Sequence, residues 1–352
     1  MLTTKATTRL NLSRATATQW SIAVGLFLLL LLPALRTLSF NVWFGSLATG
    51  LCFAFVALGV LISFRVLDFP DLTIDGSFPL GAALAAVLIS NGVKPLFTLP
   101  VAFVGGALAG IATAAIATRL RIHSLLASIL VTTALISVNL RIMGRSNIPL
   151  LNNETIFSSL AKPFRAWLAG WDSPTLLRLS NSLLVILLVG LMVWAVKASF
   201  DWLMHTEVGL AMRATGDNPQ MIRALGVNTN RLILVGLALS NGLVGLSGAI
   251  FAQYQGFADV NMGMGLIIAG LAAVIIGETL FRPQRIASAT TAVIIGMVLY
   301  RMAIAAALSI QLPLPGGGAL RIEAQDVKLA TAVLVLLALS LTHRQQQKRK
   351  QG

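Results

Sequence analysis

Charge is what this sequence has least of. Only 11% of its 352 residues are charged, against about 25% in soluble globular proteins. Such a chain cannot clothe a water-facing surface, and it reads as an integral membrane protein. Cysteine is nearly absent. Cys52 stands alone within an apolar run, which excludes an internal disulfide and leaves no basis for a cysteine metal site. The three histidines, His123, His205 and His343, form no His-Glu-x-x-His helix, and neither Cys-x-x-Cys nor Gly-x-x-x-x-Gly-Lys-Ser/Thr occurs. The chain therefore carries no motif for zinc proteolysis and none for ATP hydrolysis.

What the sequence does have is apolar length, with 57% hydrophobic residues and a mean hydropathy of +0.85. Residues 37 to 64 and 232 to 258 contain no charge, and about 20 apolar residues at 1.5 Å each cross the hydrocarbon core. These runs lack the alternation of barrel strands, so the spans are helices and the fold class is all-α. We place ten spans at roughly 20–38, 43–64, 76–93, 95–118, 124–142, 180–198, 231–252, 262–281, 286–309 and 326–342.

The net charge of +14 would suit nucleic acid, but the basic residues sit beside the spans and in the tails. That is a topology signal, so the expected partner is membrane lipid and no nucleic acid. With the N-terminus inside, sixteen Lys and Arg fall on the cytoplasmic side and nine outside, with Arg301 left within a span. Both termini are then cytoplasmic. Residues 1–19 form a cytoplasmic tail, 20–342 the transmembrane domain, and 343–352 a basic tail drawn to anionic lipid. Within the domain, 143–179 is an external cap with a short surface helix, and 199–230 is a cytoplasmic loop. Trp20 to Leu35 after a basic start also fits a signal peptide. The lack of a small-x-small cleavage site after Leu32 favours an uncleaved helix.

Two polar stretches interrupt this pattern. In the first, from Glu207 to Arg231, Arg213, Arg223 and Arg231 flank a short helix with both ends marked. Asp217 or Asn218 can cap it, Pro219 suits its first position, and Gly226 suits the left-handed residue past its end. A helix of about two turns is marginal alone. Two readings are open: a helix presented to a soluble partner, or a capped connector between spans.

The second stretch is Asp68-Phe-Pro-Asp71-Leu-Thr73-Ile-Asp75-Gly76-Ser77-Phe-Pro-Leu-Gly81. Irregular backbone at membrane depth must be buried in protein or line a watery cavity. Asp75 or Ser77 can cap the third span. The alternative is a broken helix end whose freed backbone groups bind a polar ligand along a substrate path. Asn241 and Gln253 are further candidates for that path, with the turn from Gln253 to Asn261 as a gate. Asn139, Asn241, Gln253 and Gln255 equally suit helix-packing roles, as do Gly242, Gly245 and Gly248. Arg301 should face protein, because a charge at a span centre costs about 2.5–3.5 kcal/mol. Glu278 is its candidate partner if the helix ends meet. Gly245-Leu-Ser247-Gly248 matches a short rhomboid-protease signature, but each histidine falls at a cytoplasmic end and the serine has no base.

Residues 207 to 281 also carry a resemblance. Gly209-Leu-Ala-Met-Arg213-Ala-Thr-Gly-Asp-Asn218, Ala224-Leu-Gly226-Val-Asn228, Arg231, Ser240-Asn-Gly-Leu-Val-Gly-Leu-Ser-Gly-Ala249 and Gly270-Leu-Ala-Ala-Val-Ile-Ile-Gly277-Glu-Thr-Leu-Phe281 occur in order. Together they resemble the permease subunits of ABC importers for branched-chain amino acids and ribose-type sugars. Asp71-Leu-Thr-Ile-Asp-Gly-Ser-Phe-Pro-Leu-Gly-Ala82 and Asp326-Val-Lys-Leu-Ala-Thr-Ala332 are similar to a subgroup with proposed hydrophobic or aromatic amino-acid substrates. The acidic Asp68/Asp71/Asp75 segment and Glu278 depart from the broader pattern.

The resemblance covers about residues 45 to 342. It implies a type II importer fold in the bacterial inner membrane and a transport subunit rather than an enzyme. ATP and Mg would be held by a separate ABC ATPase subunit, which docks on the coupling helices of the central loop. A permease homodimer and an extracytoplasmic solute-binding protein complete the implied assembly. An ion-gradient-driven secondary transporter is the alternative; it would show mid-membrane ion ligands and inverted repeats.

Overall fold

The long uncharged runs become long helices. The computed structural model describes residues 40–169, 174–309, 311–313 and 319–321. The expected spans 20–38 and 326–342, and both tails, lie outside the described residues. In chain order the helices are α1 (Phe40–Val60), α2 (Ile74–Ser90), α3 (Thr98–Arg119), α4 (Ser124–Met143), α5 (Ile156–Ala169), α6 (Pro174–His205), α7 (Glu207–Asp217), α8 (Pro219–Ala224), α9 (Thr229–Gln255), α10 (Leu266–Phe281) and α11 (Ile286–Ser309). Two small antiparallel ribbons accompany them. β1 (Asn147–Pro149) pairs with β2 (Phe257–Asp259), and β3 (Gln311–Pro313) pairs with β4 (Ala319–Arg321).

Among the described residues, six helices are long and apolar enough to cross a membrane: Val42–Val66, Pro95–Arg119, Ser124–Met143, Ser182–His205, Thr229–Gln255 and Ile286–Leu308. Ile74–Ser90 and Leu266–Phe281 are shorter apolar helices. The chain is thus a multi-pass membrane protein. Two expected boundaries need correction. The sixth span runs as a helix of 32 residues from Pro174 to His205, well past 198. The eighth begins at Leu266 rather than 262, because Gly265 adopts a left-handed φ of 82° as its N-cap.

The helix ends follow local chemistry. Asn228 caps α9 by accepting from the Asn230 and Arg231 N–H groups, and Gly256 closes it at φ 79°. α1 gives way to a π-helical turn over Leu61–Val66. There Asp68 turns left-handed at φ 50°, and the Phe69 N–H reaches back to the Ser63 carbonyl at 2.8 Å. In the expected external cap, β1 and α5 separate α4 from α6, and β1 joins the far turn after α9 through Asn147 opposite Asp259. Neither ribbon is visible in local sequence pattern.

The spine of the bundle is α9, which packs most extensively on α3 and then on α2 and α1. Close approach is possible because small residues face each other. A Cβ added at Gly81 would lie 1.9 Å from the Gly245 carbonyl oxygen, and one at Gly245 would lie 2.5 Å from the Ala102 carbonyl oxygen. Gly248 abuts the Phe78 carbonyl at 2.0 Å by the same measure. The glycines of α9 are therefore packing devices against backbone.

Overpacking of such a contact costs about 1–3 kcal/mol or more. Gly81→Ala should lower the thermal unfolding midpoint of the detergent-solubilised protein by several degrees. Gly45→Ala, whose Cβ would meet nothing within 4 Å, should leave it unchanged or raise it. Equal effects of the two would contradict the crossing.

Candidate functional site

The irregular segment between α1 and α2 is buried, and its polar groups bond to neighbouring helices. Asp71, Thr73, Ser77 and Asn241 are each fully buried. The Asp71 carboxylate accepts from its own segment, Thr73 N–H to Oδ1 at 2.9 Å, and from α9, Asn241 Nδ2 to Oδ2 at 2.6 Å. Ser77 Oγ donates to Asn241 Oδ1 at 2.7 Å, and Asn241 Nδ2 also reaches the Leu237 carbonyl at 3.2 Å. Asn241 therefore uses both ends of its amide to join α2 to α9.

The same segment reaches α3, α4 and α10. The Thr73 and Thr113 hydroxyls lie 2.6 Å apart, Thr132 Oγ1 donates to the Leu72 carbonyl at 2.8 Å, and Asn139 Nδ2 donates to the Gly76 carbonyl at 3.2 Å. Gly76 has no room for a side chain, since a Cβ would lie 2.8 Å from Leu135 Cδ1. Asp75 points elsewhere. Its carboxylate accepts from the Gly265 N–H at 3.1 Å and the Ile267 N–H at 3.0 Å, which places a negative charge at the N-terminus of α10 where the helix dipole favours it. Capping of α2 by Asp75 or Ser77 is thus corrected. α2 starts after Thr73 without a side-chain cap, Asp75 caps α10, and Ser77 serves Asn241.

The sequence candidates fall into separate places. Asp71, Thr73, Ser77 and Asn241 form one network with Gly76 beside it. Gln253 is remote from it, with Oε1 accepting from the Ile156 N–H at 3.1 Å and Nε2 donating to Thr98 Oγ1 at 3.3 Å. It fixes the starts of α5 and α3. Glu278 is not the partner of Arg301 but of Arg65, at 2.9 Å. Helix α10 ends beside the π-helical end of α1, which brings these two charges together. Arg301 instead lies with its guanidinium carbon 3.7 Å from the centroid of the Phe53 ring, a cation–π contact.

The stretch expected to be cytoplasmic holds two helices where one was expected. Thr206 caps α7 by accepting from the Gly209 N–H at 3.4 Å, a signal missed because Glu207–Asp217 has little apolar character. Asp217 ends α7, and Asn218 caps α8 by accepting from the Met221 N–H at 3.0 Å, with Pro219 at the first helical position. Gly226, at φ 82°, closes α8 with bonds from its own N–H to the Arg223 carbonyl (2.9 Å) and from the Val227 N–H to the Ile222 carbonyl (3.3 Å). This is a Schellman end.

Two of the three arginines bond back to the chain, and Arg231 is exposed. Arg213 Nη2 donates to the Met204 carbonyl at 3.1 Å, and Arg223 Nε to Thr229 Oγ1 at 2.8 Å. Two apolar residues also face outward at α8, Met221 50% and Leu225 71% exposed, beside the exposed polar side chains of Gln220 and Arg223. Sequence reasoning missed them because two apolar residues on a six-residue helix look like core contacts.

The Asp71–Asn241 pair makes a quantitative prediction. Asn241→Leu removes one of the hydrogen-bond donors to the buried Asp71 carboxylate and the partner of Ser77, at a cost of about 1–3 kcal/mol, read as loss of thermal stability in detergent. In a double-mutant cycle with Asp71→Asn the two changes should be non-additive by about 0.5–3 kcal/mol. Additivity would show that the residues do not act together.

Comparison with known proteins places this architecture. The family model described as branched-chain amino acid transport system / permease component matches residues 42–342. A tyrosine transport system permease protein of Clostridioides difficile is 38% identical over 260 residues, 74% of this chain and 81% of that protein. An uncharacterized protein of Rickettsia prowazekii is 35% identical over 241 residues, 68% and 78% of the two chains. An autoinducer 2 import system permease protein of Shigella flexneri is 30% identical over 210 residues, 58% of this chain and 55% of that protein. No solved structure matches the chain. Members of this family are transport components, and the chain belongs to the branched-chain amino acid transport system / permease component family as a permease component of an ABC importer.

Proposed function

We propose that this permease carries a hydrophobic or aromatic amino acid inward across the bacterial inner membrane, driven by ATP hydrolysed on a separate ABC ATPase subunit that binds ATP and Mg. The substrate class rests on the 38% identity to a tyrosine transport permease. The coupling rests on one observation above others: a short helix, capped at both ends, carries exposed Met221 and Leu225 on the loop that the positive-inside pattern puts in the cytoplasm.

The complete assembly in this reading has ten spans per chain in the type II importer arrangement, with 20–38 and 326–342 as the first and last. Two copies form a homodimer with lipid around it, and an extracytoplasmic solute-binding protein delivers the solute. Both termini face the cytoplasm. An ion-gradient-driven mechanism is set aside by the family.

The loop is built to pass on movement. A Cβ added at Gly216 of α7 would lie 2.2 Å from the Val66 carbonyl oxygen, and one at Gly209 would lie 2.3 Å from the Leu203 carbonyl oxygen. Backbone therefore meets backbone where α7 abuts the end of α1 and the end of α6. Close-packed contacts transmit displacement with little give. When ATP closes the partner subunits, α8 moves with them, α7 follows, and the π-helical end of α1 is pushed. Asp71, Thr73, Asp75, Gly76 and Ser77 lie just beyond that end, so the α2–α9 crossing at Asn241 is where the rocking of the helices opens the path. Gln253 and the β1–β2 ribbon serve the outer gate.

Gly226 tests this reading. A Cβ there meets nothing within 4 Å, so a substitution costs only its left-handed backbone, about 1–2 kcal/mol for an ordinary residue. Gly226→Val should cut ATP-driven uptake of L-tyrosine, L-phenylalanine or L-leucine in proteoliposomes roughly tenfold while the permease remains inserted. Gly226→Asn, which tolerates this backbone, should retain most of it. Normal uptake by Gly226→Val contradicts the coupling geometry, and absence of uptake of any of the three amino acids by the wild type contradicts the substrate class.

A further inference from the structure

The end of the bundle opposite the α7–α8 loop holds a groove of about 480 Å³ between the start of α1 and the ends of α9 and α11. That volume suits a small molecule. Arg301 lines it, together with Ser46, Thr49, Tyr254, Ile304 and Leu308. The charge of Arg301 sits eight residues before the end of α11 at Ser309, about 12 Å along the helix.

Arg301 is unusually placed for an arginine in a span. Among the described residues, no carboxylate lies within ion-pairing distance of it, and its Nε is enclosed without an acceptor. The Phe53 ring, 3.7 Å below the guanidinium carbon, occupies one face of the guanidinium plane. A guanidinium has five donors in its plane and no acceptor, so the ring fixes its orientation without using a single donor. Intramembrane charges are costly and are normally paired. This one is held flat, ready for an anion that the described residues do not supply.

The hydroxyls across the groove have the opposite character. Ser46 Oγ donates to the Val42 carbonyl at 2.7 Å and Thr49 Oγ1 to the Gly45 carbonyl at 2.8 Å. Each hydroxyl has one hydrogen, and both hydrogens are spent on the α1 backbone. Toward the groove these oxygens can only accept, and one lone pair of Thr49 meets the Tyr254 hydroxyl, which leaves it one for a ligand. The remaining wall at Ile304 and Leu308 is apolar.

The geometry points to a binding site for a small zwitterion in this groove, resting on the importer reading above: the substrate's carboxylate on the Arg301 guanidinium, its ammonium on the lone pairs of Ser46 and Thr49, and an apolar side chain against Ile304 and Leu308. A planar carboxylate matches the guanidinium fork, and Lys cannot reproduce that bidentate match. Placed on the side away from the ATPase loop, the site is the first in the permease to receive a solute from outside.

The test has two arms. In the first, the full-length chain in phosphatidylcholine nanodiscs is treated with phenylglyoxal, and modification of Arg301 is followed by mass spectrometry. L-Phenylalanine should slow the modification at least threefold. Phenethylamine, which lacks the carboxylate, should not, and replacing part of the lipid by phosphatidylglycerol should not. Equal protection by both amines, protection by neither, or protection by phosphatidylglycerol alone overturns the site, the last by assigning the anion to a lipid headgroup. In the second arm, Arg301→Gln and Arg301→Lys are assembled with the ATPase and binding protein in proteoliposomes. L-Phenylalanine uptake should fall at least tenfold with Gln and partly recover with Lys, while ATPase binding is retained in both. Wild-type uptake by Arg301→Gln overturns the site and leaves the importer reading standing. A wild type that takes up no amino acid sinks the substrate reading, and the labelling arm then still decides whether the groove binds a carboxylate.

Discussion

A hydrocarbon solvent offers no hydrogen bonds, and each backbone polar group left unpaired in it costs several kcal/mol. This chain breaks helical continuity over residues 67–73, between α1 and α2, and the rest of the architecture follows from how that break is satisfied. Asp71 folds back on the Thr73 N–H, Thr132 takes the Leu72 carbonyl, Asn139 takes the Gly76 carbonyl, and Asn241 holds Asp71 and Ser77 at once. Five elements, α2, α3, α4, α9 and α10, are thereby drawn to one short segment. Without the acidic residues the break would expose polar backbone, and without the break the acidic residues would have nothing to hold.

Small residues make the arrangement possible. α9 can lie close enough to α2 and α3 for a side-chain amide to bridge them only because Gly81 and Gly245 meet backbone to backbone. A buried polar network of this kind, in which Asn139 Oδ1 is left without a partner, favours one arrangement over its neighbours. In a transporter that property has a second use. Two helices joined by a few strong bonds move together or exchange one set of bonds for another, and neither motion requires the core to deform gradually.

Much of this was legible in the sequence, and the exceptions share a cause. Apolar runs located the six long and two shorter apolar helices among the described residues, because a charge in lipid is costly wherever it falls. Asn218, Pro219 and Gly226 marked α8, because capping and left-handed backbone are local matters. The acidic cluster announced irregular backbone but not its partners. Asp75 with Ile267 and Arg65 with Glu278 are separated by 192 and 213 residues, and nothing in local pattern pairs them. The β1–β2 ribbon, which joins residues 147–149 to 257–259, was hidden for the same reason. α7 was missed because its amphipathic face packs on the end of α1 and the end of α6 rather than forming an apolar run.

Function is tied to one surface, the exposed side of α8, where Met221 and Leu225 stand out of a loop whose Arg213 and Arg223 bond back to the chain. The most direct measurement is co-purification of this chain with its ABC ATPase from mild detergent, comparing the wild type with Met221→Asp/Leu225→Asp. Both residues are exposed, so the double substitution leaves the fold and its thermal midpoint intact. The account predicts a stable complex for the wild type and its loss, by at least tenfold in bound ATPase, for the variant. Full retention of the ATPase by a correctly inserted variant would contradict it.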